Sequence, residues 1–392
     1  MSNCTVLRAG TAVTALLLAG LAGCTDRTQP LTPTPDQVTA ADAVWGSGVE
    51  GEAFTVYQQN AYLGGDTDPL FSIDLSDIPL LLTTTNTFWA QVKDSHVPER
   101  MAALVNQIAD HRPDFVTLEE VFQMAVVDAT TGQVLDGADL LASIMGEIQR
   151  RGLPYELVQA KSNTSVTLPM SVDFTTGTVT KVLMATDRIA VLRRTDMDVT
   201  AVTEGTYGAD IPLAPGVTVT RGWIRVDTER KGVPYHLVAT HLETQTTPQV
   251  QALQTAELLN SVTAGLDGVT VIAGDLNSDA AGGPGDPSWT PTYQTLVDGG
   301  FTDAWVQSGQ PRHDQGLTCC HADDLRDPWP GTLYQRIDFV LVRDAQNRSK
   351  SGKVSGSMRE EILDTQPSDR TPGGQWLSDH AGVLAGLMLP KR

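Results

Sequence analysis

The run Val269-Thr270-Val271-Ile272-Ala273-Gly274-Asp275-Leu276-Asn277-Ser278 ends in an acid and an amide two residues apart. Its first four residues are apolar or β-branched and read as a strand buried on both faces. Ala273-Gly274 lets a neighbouring backbone come close, and Asp275 and Asn277 then emerge with both side chains on one side of the extended chain. So placed, they can orient a water or hold an anionic oxygen beside a cation. Alone, the stretch fits a strand running into an Asx turn equally well. Further acids, amides and imidazoles stand at matching places, and they add weight. Asn60 follows the strand-like residues 54–59, Glu119 and Glu120 leave the short apolar strand of Phe115, Val116 and Leu118, and His241 lies near the end of residues 235–243. Asp338 sits inside an apolar run at 334–342, where a carboxylate costs several kcal/mol unless a partner or cation meets it. Asp379 and His380 precede the last apolar run. Singly, each has a plain explanation: a turn Asn, a surface acid pair, a satisfied structural histidine. Together they are the parts that hydrolysis by in-line attack requires, namely an oriented water, a base and positive charge on the reacting oxygens.

The elements that must carry these residues alternate between strand and helix signals. Met101, Leu104, Val105 and Ile108 recur at helical spacing and stop before Pro113, giving an amphipathic helix. Residues 138–151 read as a second helix, and residues 155–159 and 187–193 as strands. Residues 221–227 and 235–243 flank Lys231-Gly232 and read as an antiparallel hairpin. Thr247-Pro248 opens a helix whose buried stripe is expected at Ala252, Leu253, Ala256 and Leu259. That helix leads into Val269. Residues 71–96, with Leu80-Leu81-Leu82, read as an irregular excursion over the surface.

The chain has 392 residues, 41% of them hydrophobic, which suffices for one large domain or two small ones. A net charge of −20 opposes passive adhesion to nucleic acid or anionic lipid, while a local cation site would still attract phosphate. There is no basic, aromatic-interleaved patch: Arg112, Arg188, Arg221, Arg225 and Arg336 are scattered. At the N-terminus, Arg8 precedes a short apolar run ending in Leu21-Ala22-Gly23-Cys24, which resembles the lipobox of bacterial lipoproteins. The resemblance implies a signal peptide over 1–23, lipidation of Cys24, a flexible Pro-containing tether over 24–50 and a folded domain over 51–392. It also places the protein on the bacterial cell envelope, held to a membrane by its lipid on the periplasmic or extracellular face. Cys319 and Cys320 are adjacent, and either a vicinal disulfide or two buried thiols fits an exported chain.

Asn60, Leu118-Glu119-Glu120-Val121, Thr240-His241-Leu242-Glu243, Gly274-Asp275-Leu276-Asn277, Arg336-Ile337-Asp338 and Ser378-Asp379-His380 together resemble, in kind and order, the endonuclease/exonuclease/phosphatase superfamily of metal-dependent phosphoesterases. The resemblance covers about residues 52–390. It implies a four-layer α/β sandwich of two mainly antiparallel sheets flanked by helices. It further implies an exported, monomeric hydrolase of phosphoester or phosphodiester bonds using Mg²⁺, with Mn²⁺ or Ca²⁺ as alternatives. Glu120 would be the principal metal ligand, with Asn60 beside it and Asp379 as a further ligand. Asp275 and Asn277 would hold the attacking water and a phosphate oxygen. His380 would act as general base or charge-stabilising imidazolium, oriented by Asp338, and His241 would contact the phosphate. The substrate would be a small molecule, a lipid headgroup or nucleic acid. Within the class, extracellular nuclease and sphingomyelinase-like phosphodiesterase are the alternatives, and inositol-polyphosphate phosphatase is a further branch. A non-catalytic binding lipoprotein on the same fold is the alternative of another class. Two departures stand out. The gap from Asn60 to Glu120 is long, which marks 71–96 as an insertion near the cleft. Glu119 stands where many members have Gln, which would add negative charge near the metal.

Overall fold

The computed structural model describes residues 53–74, 76–214, 217–230, 232–309, 315–328, 332–345, 354 and 356–388. The expected signal peptide, Cys24 and the tether lie outside the described residues. In chain order the first elements are β1 (Phe54–Asn60), α1 (Asp68–Ser72), α2 (Ile78–Asp94), α3 (Val97–His111), β2 (Phe115–Glu119), β3 (Gln123–Asp128), β4 (Val134–Asp139) and α4 (Leu140–Arg151). A long hairpin of β5 (Tyr155–Asp173) and β6 (Thr178–Arg194) follows, then β7 (Ala201–Thr206), β8 (Ile211–Ala214), β9 (Val217–Val219), β10 (Gly222–Arg230), β11 (Val233–His241) and α5 (Pro248–Glu257). The chain closes with β12 (Val269–Asp275), α6 (Thr292–Asp298), β13 (Thr302–Asp303), α7 (Ala304–Ser308), β14 (Asp338–Asp344), β15 (Ser357–Leu363) and β16 (Gly382–Met388).

Two sheets carry the fold. One runs β15-β16-β1-β2-β6-β3-β4 with β5 also on β6, and the other runs β13-β14-β12-β11-β10-β7. Their facing sides are apolar. Val56, Phe115 and Val191 of the first meet Ile224, Leu237, Val271 and Val340 of the second in one buried cluster. Outside the first sheet, α2, α3 and α4 bury Phe88, Leu104 and Ile144, and outside the second, Leu258 and Leu296 pack on Val238, Ile272 and Leu341. The four layers are those expected, because each sheet has two apolar faces to cover.

Register brings the candidate residues together. β1 and β2 are parallel with Asn60 opposite Glu119, and β11 and β12 are parallel with His241 opposite Asp275. β14 joins antiparallel so that its first residue, Asp338, also lies opposite Asp275. β16 begins two residues after His380 and runs antiparallel to β1. Four strands therefore end, and two begin, at the same edge of the sandwich. Close approach at that edge depends on Gly274, where a Cβ would lie 1.9 Å from the Thr240 carbonyl oxygen.

The structure corrects several expectations. Residues 71–96 are mostly helical: Asp77 caps α2 through Leu80 N–H, Pro79 sits in its first turn, and Leu81, Phe88 and Val92 are buried along it. The β-branched Thr83-Thr84-Thr85 run lowers helix propensity, and packing of the apolar face overrides it. The β5–β6 hairpin is far longer than the two short strands expected. Buried residues of α5 are Gln251, Gln254 and Thr255, while Leu253 is 62% exposed, so hydrogen bonding rather than hydrophobicity selected its inner face. β14 starts at Asp338, not at Tyr334. No helix among the described residues is long and apolar enough to cross a membrane.

Candidate active site

Alternation along β2 separates its two acids. Glu119 points inward, fully buried, where Gln58 Nε2 donates to it at 2.9 Å. Burial, helped by nearby Asp338 and Asp275, pushes its carboxyl well above the usual range. Glu120 turns toward the cleft with φ 53°, in the left-handed region that costs a non-glycine residue about 1–2 kcal/mol. Asn277 is likewise left-handed at φ 49°. Asn adopts that region readily, so the strain falls on Glu120, and backbone strain at a site residue is a pattern that accompanies function.

Asn60 joins the sheets. Its Nδ2 donates to Glu120 Oε1 and Asp275 Oδ2, both at 3.1 Å, while its Oδ1 accepts from Tyr62 N–H at 3.0 Å. The amide expected to stand beside the metal thus offers the carboxylates its nitrogen and acts as their spacer. Asp275 is fixed on its other oxygen by the Asn277 N–H at 2.9 Å. Burial, then the charge of Asp338, pushes Asp275 up to about 7, and burial with Asp379 does the same to Glu120.

The two histidines have opposite environments. Asp338 Oδ2 lies 2.8 Å from His380 Nδ1, and Gln58 Nε2 donates to the other Asp338 oxygen at 2.8 Å. The expected partner of Asp338 is therefore present. His380 Nε2 is 4.0 Å from both Asp275 and Asp379. Burial pulls this imidazole down, but Asp338, Asp379 and Asp275 together hold it well above its ordinary value, as an imidazolium. His241 is held neutral by burial, by Arg221 and by His380. Arg221 Nη1 donates to its Nδ1 at 2.9 Å, which leaves the ring proton on Nε2, 3.4 Å from Asp275 Oδ2 and 3.1 Å from Asn277 Nδ2. Environments that drive two like groups to opposite charge states are a mark of acid–base machinery.

Positioning residues that nothing in the sequence assigns to the site complete it. Arg100, fully buried, donates to the carbonyls of Ala61, Tyr62 and Leu377, clasping the chains that carry Asn60 and Asp379. Gln251 Nε2 donates to the carbonyls of Glu243 and Asn277 at 2.7 and 2.8 Å. Arg221 is itself bracketed by Glu243 at 3.3 Å and Asp187 at 3.7 Å. A buried acid in an apolar strand signalled Asp338, and the same reasoning points to Asp187, 3% exposed in β6. Cys319 and Cys320 form a vicinal disulfide, so their thiolates are not ligands. Their segment is stitched to the site through His321 N–H to the Asp379 carbonyl and Ala381 N–H to the Thr318 carbonyl.

The ligand atoms of Asp275, Asp338 and His380 lie within 4.8 Å of one another, with Glu120 and Asp379 beside them. Converging buried carboxylates in excess of the cations facing them suit a hard divalent cation, which prefers oxygen ligands.

Comparison with known proteins agrees with this arrangement. The sequence profile of the Endonuclease/Exonuclease/phosphatase family matches residues 83–380. An endonuclease/exonuclease/phosphatase family protein from Leptotrichia buccalis C-1013-b superposes with a TM-score of 0.53 at 13% identity, over 86% of this chain and 99% of that one. The endonuclease/exonuclease/phosphatase from Beutenbergia cavernae DSM 12333 gives 0.52 at 20% identity, over 86% and 72%. No curated protein matches the sequence. Fold, profile and the row of polar residues at the shared edge of the sheets agree: the chain belongs to the endonuclease/exonuclease/phosphatase family, whose members are phosphoesterase hydrolases that typically use a divalent metal.

Proposed function

We propose that this chain is a metal-dependent phosphodiesterase that cleaves its substrate by in-line attack of water. The observation that carries the reading is His380, with Asp338 on its Nδ1 and with Asp275 and Asp379 both 4.0 Å from its Nε2. A divalent cation, Mg²⁺ foremost, held by Glu120 and Asp379, would supply Lewis-acid charge to the phosphoryl oxygens. Asp275, anchored by Asn60 and the Asn277 N–H, accepts the proton of the attacking water. His380 stabilises charge on a non-bridging oxygen, and Asp338 keeps it protonated and aimed. His241 presents its Nε2 proton to the phosphate from the other wall, with Arg221 behind it fixing that tautomer. The Asn277 N–H fixes Asp275, and the Asn277 Nδ2 donates to the Leu242 carbonyl next to His241. A panel of plasmid DNA, sphingomyelin, inositol phosphates and bis(p-nitrophenyl) phosphate, each with Mg²⁺, tests the reading. Hydrolysis of at least one diester that stops on chelation is expected, and inertness toward all would refute it in favour of a binding protein.

The sequence Leu21-Ala22-Gly23-Cys24 supports export and lipid anchoring at Cys24. Cys24→Ser should shed the protein from the membrane fraction or leave an unprocessed precursor. Recovery of the wild type wholly in a soluble fraction would refute anchoring.

A further inference from the structure

Beside the row of polar residues lies a cavity of about 330 Å³, within the range of roughly 300–1,000 Å³ typical of small-molecule pockets. Its walls are mainly apolar and come from segments outside the strand edge that carries the acids and histidines. Leu81 comes from α2, Val166 and Leu183 from the β5–β6 hairpin, and Val219 from β9. Glu120, Asp187 and Arg221 also line it, so it is continuous with the site that would hold the phosphate. Phe71, also lining it, is 57% exposed. Large apolar side chains left in water beside a polar centre mark a place where an apolar group docks.

We infer that this cavity binds an aliphatic arm of the substrate, which makes the substrate an amphiphilic phosphodiester, polar at the scissile phosphorus and hydrocarbon on one side. The inference rests on the phosphodiesterase reading and narrows it. A nucleobase fits the lining less well, because apolar walls would leave its ring-edge donors and acceptors unpaired. Among the described lining residues Arg221 is the one cation, and His241, Glu243 and Asp187 already engage it, so no basic track continues along the cavity for a polynucleotide backbone. Two of the wall segments, α1 with Phe71 and α2 with Leu81, lie in the long stretch between Asn60 and Glu120.

The test is calorimetric binding of methyl phosphate and octyl phosphate to the full chain in Mg²⁺, below the micellar concentration of the latter. Each buried methylene should tighten binding about fourfold, so octyl phosphate should bind at least about 100-fold more tightly. Val166→Trp, which fills the cavity, should remove most of that preference without changing methyl phosphate binding. Phe71→Ser, at an exposed position that tolerates substitution, should weaken octyl phosphate several-fold. Octyl phosphate binding no more tightly than methyl phosphate, absence of binding included, overturns the inference. A chain-length preference unchanged in both variants overturns it too. Turnover of p-nitrophenyl alkyl diesters separates the two readings: cleavage indifferent to alkyl length leaves the phosphodiesterase and removes the arm site, whereas tight octyl phosphate binding without cleavage of any diester does the reverse.

Discussion

Asp338→Asn alters one charge in a contact shielded from water, since Asp338 is 1% and His380 6% exposed. Asn keeps an oxygen for the Gln58 N–H, so the fold around it should hold. Opposite His380 it offers an amide nitrogen, which forces Nδ1 to accept and strips the ring of its positive charge. A hydrogen bond to a charged group is worth about 1.5–3 kcal/mol. Realised in the transition state, that is roughly a 10- to 150-fold loss of kcat/KM. His380→Ala should cost at least as much, and the double variant should fall within about threefold of the worse single one, because the two residues act as a unit. The assay is kcat/KM on bis(p-nitrophenyl) phosphate at saturating Mg²⁺, with a thermal melt of each variant to exclude unfolding. Losses that multiply in the double variant would show that the residues act independently and refute the pairing.

Two further outcomes test how the site is held and what burial does elsewhere. Gln251→Leu fills the same space but removes the donor to the Glu243 and Asn277 carbonyls and the acceptor of the Thr290 and Thr292 hydroxyls. It should lose about 3 kcal/mol of stability and more than about tenfold in kcat, and retention of both in denaturation and kinetic measurements would remove Gln251 from the machinery. Asp364, bonded to Gln107 and Tyr57, is pushed up to about 8, chiefly by burial and then by Asp369. Folded protein keeps a proton there that the unfolded chain releases near pH 4, so this stabilisation is full below about 4 and lost as pH rises toward 8. Asp364→Asn, acceptable at the local φ of 64°, should therefore gain melting temperature relative to wild type between pH 5 and pH 8; a constant difference would contradict the shift.

The sequence shows the site better than it shows the walls. Asp275, Asn277, His241, Asp338 and His380 were readable because polar residues closing or interrupting apolar runs violate the strand pattern, and a violation needs a cause. For Glu119 and Glu120, pleat alternation shows that one of the two acids turns inward, but only the packed sheets show that it is Glu119 and that Gln58 meets it there. The buried face of α5 was missed because Gln251, Gln254 and Thr255 look like surface residues until the carbonyls and hydroxyls they meet are known. The β5–β6 hairpin is half-exposed, rich in Ser and Thr, and stabilised by pairing along its length, which no local window contains. Arg100 and Arg221 are invisible for the same reason, since their partners lie far away in sequence or on neighbouring strands.

The hydrolysis of bis(p-nitrophenyl) phosphate by wild type and by Glu120→Gln, each with Mg²⁺ and with EDTA, bears most directly on the proposed chemistry. Glu120 is half-buried at the cleft, and Gln keeps its shape while removing the anion that would hold the cation. The wild type should turn over only with Mg²⁺, and Glu120→Gln should fall to the background rate while melting within about 2 °C of wild type. A variant that keeps the wild-type rate, or a wild type indifferent to EDTA, would contradict the metal-dependent reading of this site.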